Sequence, residues 1–215
     1  MGREVVRPVR SPADRYTPEV RLTQEEYVRL LKCTRGSGRP GCHQYYALWV
    51  VLGNLGLRIT EALNIVLADL DPEAGTVRLH TLKQRRRRSG LPTVQIRTVH
   101  GKVMRVLLTW SRRAAKRFPG GGVKGPRPGT ARLFPVTRQV AWEAFKRYRD
   151  LAGLPKGLSL HSLRHFRGDV DYQATGDLRW VAYRLRHKSL GTTARYTTVG
   201  RRQEAELVQK IGAIT

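Results

Sequence analysis

Apolar positions recur at helical spacing along most of the chain, with one interruption by short β-branched runs. Thr23 is followed three residues later by Glu26, a capping box, and Leu22 with Tyr27 stands at hydrophobic-staple spacing. A helix is therefore predicted from Gln24 to about Cys33. The stretch from His43 to Leu52 is apolar on most sides, as expected of a buried central helix, and Gly53, Asn54 and Gly56 are expected to end it. Arg58 and Glu61 then share one face of a new helical turn. Asp69, Asp71, Glu73 and Gly75 faintly resemble a calcium loop, but the twelfth residue from Asp69 is His80 rather than glutamate, so a helix exit and turn is expected.

Residues 76–80 (TVRLH) and 92–97 (PTVQIR) alternate or run β-branched on either side of a basic RRRRSG, which predicts a hairpin. Val103, Val106, Leu107, Trp110, Ala114 and Phe118 follow helical spacing, with Arg112, Arg113, Lys116 and Arg117 on the other faces. Residues 118–130 (FPGGGVKGPRPGT) read as a flexible loop, and a further helix from Thr137 to about Ala152 stops at Gly153 and Pro155. His161 begins another helix, and Asp177 N-caps the next, whose core face is Leu178, Val181, Ala182 and Leu185. The fold class is mainly α with a small antiparallel β-hairpin or sheet (α+β). Residues 1–20, with three prolines, form a basic arm; 21–199 form one domain; 200–215 form a tail helix that packs on this domain or on a neighbouring subunit.

Charge narrows the partners. The 215 residues hold 41 Lys and Arg against 16 Asp and Glu, a formal charge of +25. A polyanion is the expected partner, with nucleic acid ahead of an anionic membrane, though charge alone leaves room for a binder with no chemistry. No apolar run approaches the roughly 20 residues that span a bilayer, and no signal-peptide core is present, so a cytoplasmic or DNA-associated location is expected. Cys33 and Cys42, the two cysteines, make neither a disulfide framework nor a zinc site. Gly36, Gly38 and Gly41 spell G-x-G-x-x-G, but a predicted helix precedes them and Pro40 interrupts them, so they read as a loop between helices.

The stretch from Leu158 to Tyr196 gathers candidate chemistry: His161 and Arg164 three apart on one helix face, then His187, then Tyr196 after the Ser189–Gly191 turn. Arg58 sits beside a buried helix, where it is either neutralised by Glu61 or held to meet an anion. GLRITEAL, LHTLKQ, LSLHSLRHF, LRHKS and TTARYT resemble, in order, the successive motifs of the tyrosine recombinase (phage integrase) family. The likeness runs from about Thr23 to Val199 and implies that family's catalytic-domain fold. It places the family's catalytic positions on Arg58, Lys83, His161, Arg164, His187 and the nucleophile Tyr196, with Glu61 orienting Arg58 and His165 standing behind the site. Arg85, Arg86, Arg87, Arg88, Arg112 and Arg113 are expected to contact DNA.

The implied activity is site-specific DNA recombination through a 3′-phosphotyrosyl intermediate, with no metal, cofactor or ATP, by a dimer or tetramer on double-stranded DNA. Residue chemistry agrees: two guanidinium groups suit the non-bridging oxygens of a pentacoordinate phosphorane, and a cationic surround favours a phenolate whose ordinary pKa is about 10. His161 is the candidate base, and Lys83 the acid for the departing 5′ oxygen. Two departures stand out. Arg186 occupies the position before His187 that the family usually gives to glycine. Most relatives also carry an N-terminal helical domain, which about 20 residues cannot form, so a minimal catalytic-domain recombinase or a fragment of a longer one is expected. A type IB topoisomerase-like enzyme and a non-catalytic DNA binder of the same fold are the rivals.

Overall fold

The computed structural model describes residues 20–80, 94–117 and 131–187. Seven α-helices, a 3-10 turn (Leu67–Asp69) and three strands fall in this part: α1 (Gln24–Gly36), α2 (Cys42–Leu55), α3 (Ile59–Ala62), β1 (Leu70–Asp71), β2 (Thr76–His80), β3 (Val94–Thr98), α4 (Gly101–Arg117), α5 (Arg138–Leu151), α6 (Leu160–Thr175) and α7 (Leu178–Leu185). The fold is mostly helical with one small antiparallel sheet of order β1-β2-β3. No helix among the described residues is long and apolar enough to cross a membrane.

The centre of the fold is α2. Ala47, Leu48, Trp49, Val51 and Leu52 have no exposed surface, because α1, α4, α5 and α6 pack around the helix. Trp49 meets Phe145 of α5 edge-on and Tyr45 in a stack. The capping box of α1 is present, with Glu26 N–H donating to Thr23 Oγ1 at 3.2 Å and Thr23 N–H to Glu26 Oε2 at 2.9 Å. Leu22 and Tyr27 are both buried, as a staple requires. Cys42 is buried and Cys33 half-buried, both as free thiols.

Two local expectations change. Helix α2 runs through Gly53 and Asn54 to Leu55 instead of stopping at Gly53. A side chain at Gly53 would meet the Tyr27 ring at 2.5–2.6 Å, so this glycine makes room for a ring and does not break the helix. Asn54 Nδ2 donates to the Tyr27 hydroxyl at 3.1 Å and to Val50 O at 2.9 Å, which keeps it in helical register. The turn expected at 69–75 contains a third strand, with Leu70 opposite Val77 and Asp71 opposite Thr76. Asp69 explains it: its buried carboxylate accepts the Val66 N–H at 3.0 Å and lies 3.0 Å from His80 Nε2, drawing the chain alongside β2. The predicted hairpin is present as β2 paired with β3, Thr76 opposite Thr98 through His80 opposite Val94. The basic arm, the hairpin tip at 81–93, Phe118 with the glycine-rich loop, and the tail at 200–215 lie outside the described residues.

Candidate active site

Arg58 N-caps α3, and Glu61 in that helix's first turn turns back on it. Glu61 Oε2 accepts the Arg58 N–H at 2.8 Å, and Oε1 accepts from Arg58 Nη1 at 3.1 Å. The carboxylate is buried and the guanidinium reaches outward. The pairing with Glu61 is thus present, with the Arg58 guanidinium on the outer side of it. Gly56, just ahead, closes α2 in the left-handed region at φ 62°, and a side chain there would meet Leu185 Cδ2 at 2.5 Å. Glycine is needed there on both counts.

Arg164 lies on α6, where the Ser159 hydroxyl caps the helix by accepting the His161 N–H at 3.2 Å. His161 and Arg164 share a face, but not a depth. His161 is exposed in the first turn, whereas Arg164 is 2 % exposed and among the largest fully buried side chains. Its Nη1 donates to Gly56 O at 2.6 Å, and its Nη2 donates to Leu185 O. Gly56 precedes Arg58 by two residues and Leu185 precedes His187 by two, so one guanidinium draws three separated motifs together. His165, buried on the next position, meets the His161 ring edge-on at 4.4 Å between centroids.

The end of α7 sets His187. His187 N–H donates to Ala182 O at 2.9 Å and Arg186 N–H to Tyr183 O at 3.2 Å, the pair of bonds that defines a Schellman ending. The left-handed residue of that motif is Arg186, at φ 54° and ψ 46°, where glycine would be unstrained. A non-glycine residue there costs about 1–2 kcal/mol. The Arg186 side chain is buried and forms an ion pair with Glu61. Burial pushes the Arg186 pKa down, Glu61 opposes that shift and Arg58 adds to it. A second buried arginine, Arg97 of β3, donates from Nη2 to Tyr183 O at 2.7 Å and Arg184 O at 3.1 Å and lies over the Tyr183 ring at 4.5 Å. Neither carbonyl has the i+4 donor of a helix interior, Tyr183 O taking the Arg186 N–H instead, and the guanidinium adds a donor to each.

Of the expected site residues, Arg58 pairs with Glu61, Arg164 bonds the backbone two residues ahead of Arg58 and two ahead of His187, and His161 and His165 lie on the same helix as Arg164. Lys83, Arg85, Arg86, Arg87, Arg88 and Tyr196 lie outside the described residues. Arg112 and Arg113 are exposed on α4, and Arg113 lines a surface pocket with His43 and Tyr46 in the first turns of α2. That is the far end of α2 from Arg58, about 20 Å away at 1.5 Å per residue. Arg97 and the role of Arg186 were not legible in the sequence. The β signal of residues 92–97 did hold a clue for Arg97, since Val77 and Arg97 are directly paired and Val77 is fully buried.

Residues 20–202 match the phage integrase family, and the chain belongs to that family. Among curated relatives it is 31 % identical over 201 residues to the tyrosine recombinase XerD of Mycobacterium leprae (strain TN), a match covering 91 % of this chain and 62 % of that protein. The chain thus spans about three-fifths of that relative's length. Among solved structures, the fold matches the XerH site-specific recombinase bound to palindromic difH substrate in a post-cleavage complex, with a TM-score of 0.68 at 21 % identity over 89 % of this chain and 54 % of that one. It also matches the catalytic domain of bacteriophage HP1 integrase, with a TM-score of 0.58 at 17 % identity over 88 % of this chain and 93 % of that one.

Proposed function

We propose that the chain is a site-specific DNA recombinase that cleaves and rejoins strands through a tyrosyl intermediate. The observation that carries the reading is the Arg164 guanidinium, bonded at once to the backbone ahead of Arg58 and to the backbone ahead of His187. Two guanidinium groups and an imidazole carried by segments that are tied together in this way suit the non-bridging oxygens of a dianionic phosphorane. Tyr196 Oη attacks phosphorus, the P–O5′ bond breaks, and the 5′ oxygen leaves with a proton from Lys83 while the phenol's proton passes to His161. The phosphotyrosyl ester conserves the bond energy, so a second strand's 5′ hydroxyl reseals the backbone by the reverse displacement. The substrate is double-stranded DNA, engaged by a homodimer or tetramer. Resealing of a partner strand separates this reading from a relaxing enzyme that works as a monomer.

The test is a suicide DNA substrate whose short downstream fragment, carrying the new 5′ hydroxyl, diffuses away after cleavage. Wild type gives a denaturation-resistant covalent adduct and Tyr196→Phe gives none; adduct in both reassigns the nucleophile, and adduct in neither leaves a binding protein. Lys83→Ala slows cleavage of a normal 5′ oxygen far more than of a 5′ bridging thiolate, which departs without a proton. Equal slowing moves the acid to another residue.

A further inference from the structure

Glu61 has two cationic partners, one on each side. Its side chain is 5 % exposed and lies between Arg58, whose side chain is 42 % exposed, and Arg186, at 8 %. Oε1 takes the outer guanidinium; Oε2 takes the Arg58 N–H and the inner guanidinium. A carboxylate opposed by Arg58 alone would cancel the charge of the group that meets phosphate. With a second cation behind it, the trio keeps a net charge of one positive unit on its exposed side. The inner cation sits on a residue held in the left-handed backbone region, the sole non-glycine residue at positive φ among those described. Strain retained beside a candidate site is an observation from which a functional role can be inferred.

We propose that Arg186 is a positioning residue of the phosphate site: neutralising Glu61 from the inside, it fixes the carboxylate that orients Arg58 and leaves Arg58 its charge for a phosphate oxygen. This rests on the cleavage reading above. The Arg186 guanidinium is turned onto the inner side of Glu61, so its effect on the reaction passes through Glu61 and Arg58.

Arg186→Gly tests it, because glycine suits the same backbone and spares the turn. At saturating suicide substrate, the single-turnover cleavage rate falls about tenfold or more while the Kd for DNA changes less than about threefold, less than the roughly hundredfold or greater loss of a direct donor because Arg186 acts through Glu61 and Arg58. Arg186→Lys recovers part of the loss. The deficit shrinks on a substrate with a neutral methylphosphonate at the scissile position, which asks less of Arg58; a purely structural defect would be the same on both substrates. The Glu61→Gln change and Arg186→Gly combine non-multiplicatively in rate and non-additively in thermal midpoint, as two ends of one interaction must. Wild-type cleavage by Arg186→Gly, equal deficits on both substrates, or additive midpoint shifts each overturn the proposal. Failure of wild type to form adduct overturns the cleavage reading and this role together, and is told apart from failure of this inference alone, in which wild type and Arg186→Gly cleave equally fast.

Discussion

At Gly56 the backbone requirement and the packing requirement coincide. The left-handed conformation costs an alanine about 1–2 kcal/mol, and its Cβ would press on Leu185, which has no exposed surface and lies two residues before His187. Gly56→Ala is expected to lose at least about 1 kcal/mol of stability in urea unfolding and to slow adduct formation, since Arg58 and Leu185 both move; an unchanged unfolding midpoint would refute the close approach. Sequence reasoning found Gly56 as a helix stop, and placed Arg58 with Glu61 from their spacing alone. It could not find the Glu61–Arg186 pair, because the partners come from distant segments and nothing in a periodic pattern records which buried charge meets which. Helical spacing gave His161 and Arg164 a common face and missed their difference in depth, which is set by the α2 and α7 backbones that cover Arg164.

Helix α7 has only eight residues and buries little beyond Val181, Ala182 and Leu185, too short to hold its place by propensity. Arginines from other elements fasten its C-terminus. Arg97 reaches from β3 to two of its last carbonyls, Arg164 reaches from α6 to a third, and Arg184 of the helix itself donates to Asn54 O at 3.3 Å. Arg97→Lys keeps the charge but loses the planar fork and the stacking on Tyr183. It is expected to cost about 1–3 kcal/mol, with faster hydrogen exchange of the α7 amides than of the α2 amides; uniform exchange would show that α7 is held by other means. The helices were legible because capping boxes, staples and apolar stripes are local signals. Strand β1 was not, since two residues carry no alternation and its pairing is imposed by Asp69 from outside the strand.

For the whole molecule, charge decides more about binding than about folding. The formal +25 is a property of composition, and it predicts association with duplex DNA that weakens steeply with salt. With six to ten phosphates engaged, the affinity is expected to fall about a thousandfold or more between 50 and 200 mM salt, measured by fluorescence anisotropy on a labelled duplex; a shallow slope would mean that most of the arginines face away from DNA. That test bears on Arg112 and Arg113 as well, both exposed on α4. The buried arginines are a separate population, and Arg164 is the clearest of them. Because the same guanidinium that is proposed to meet phosphate also holds the α2 and α7 ends together, replacing it removes a tie beam as well as a reagent. An Arg164 variant is therefore a poor choice of inactive control for DNA-binding or assembly experiments, whereas Tyr196→Phe deletes one oxygen and leaves that beam in place.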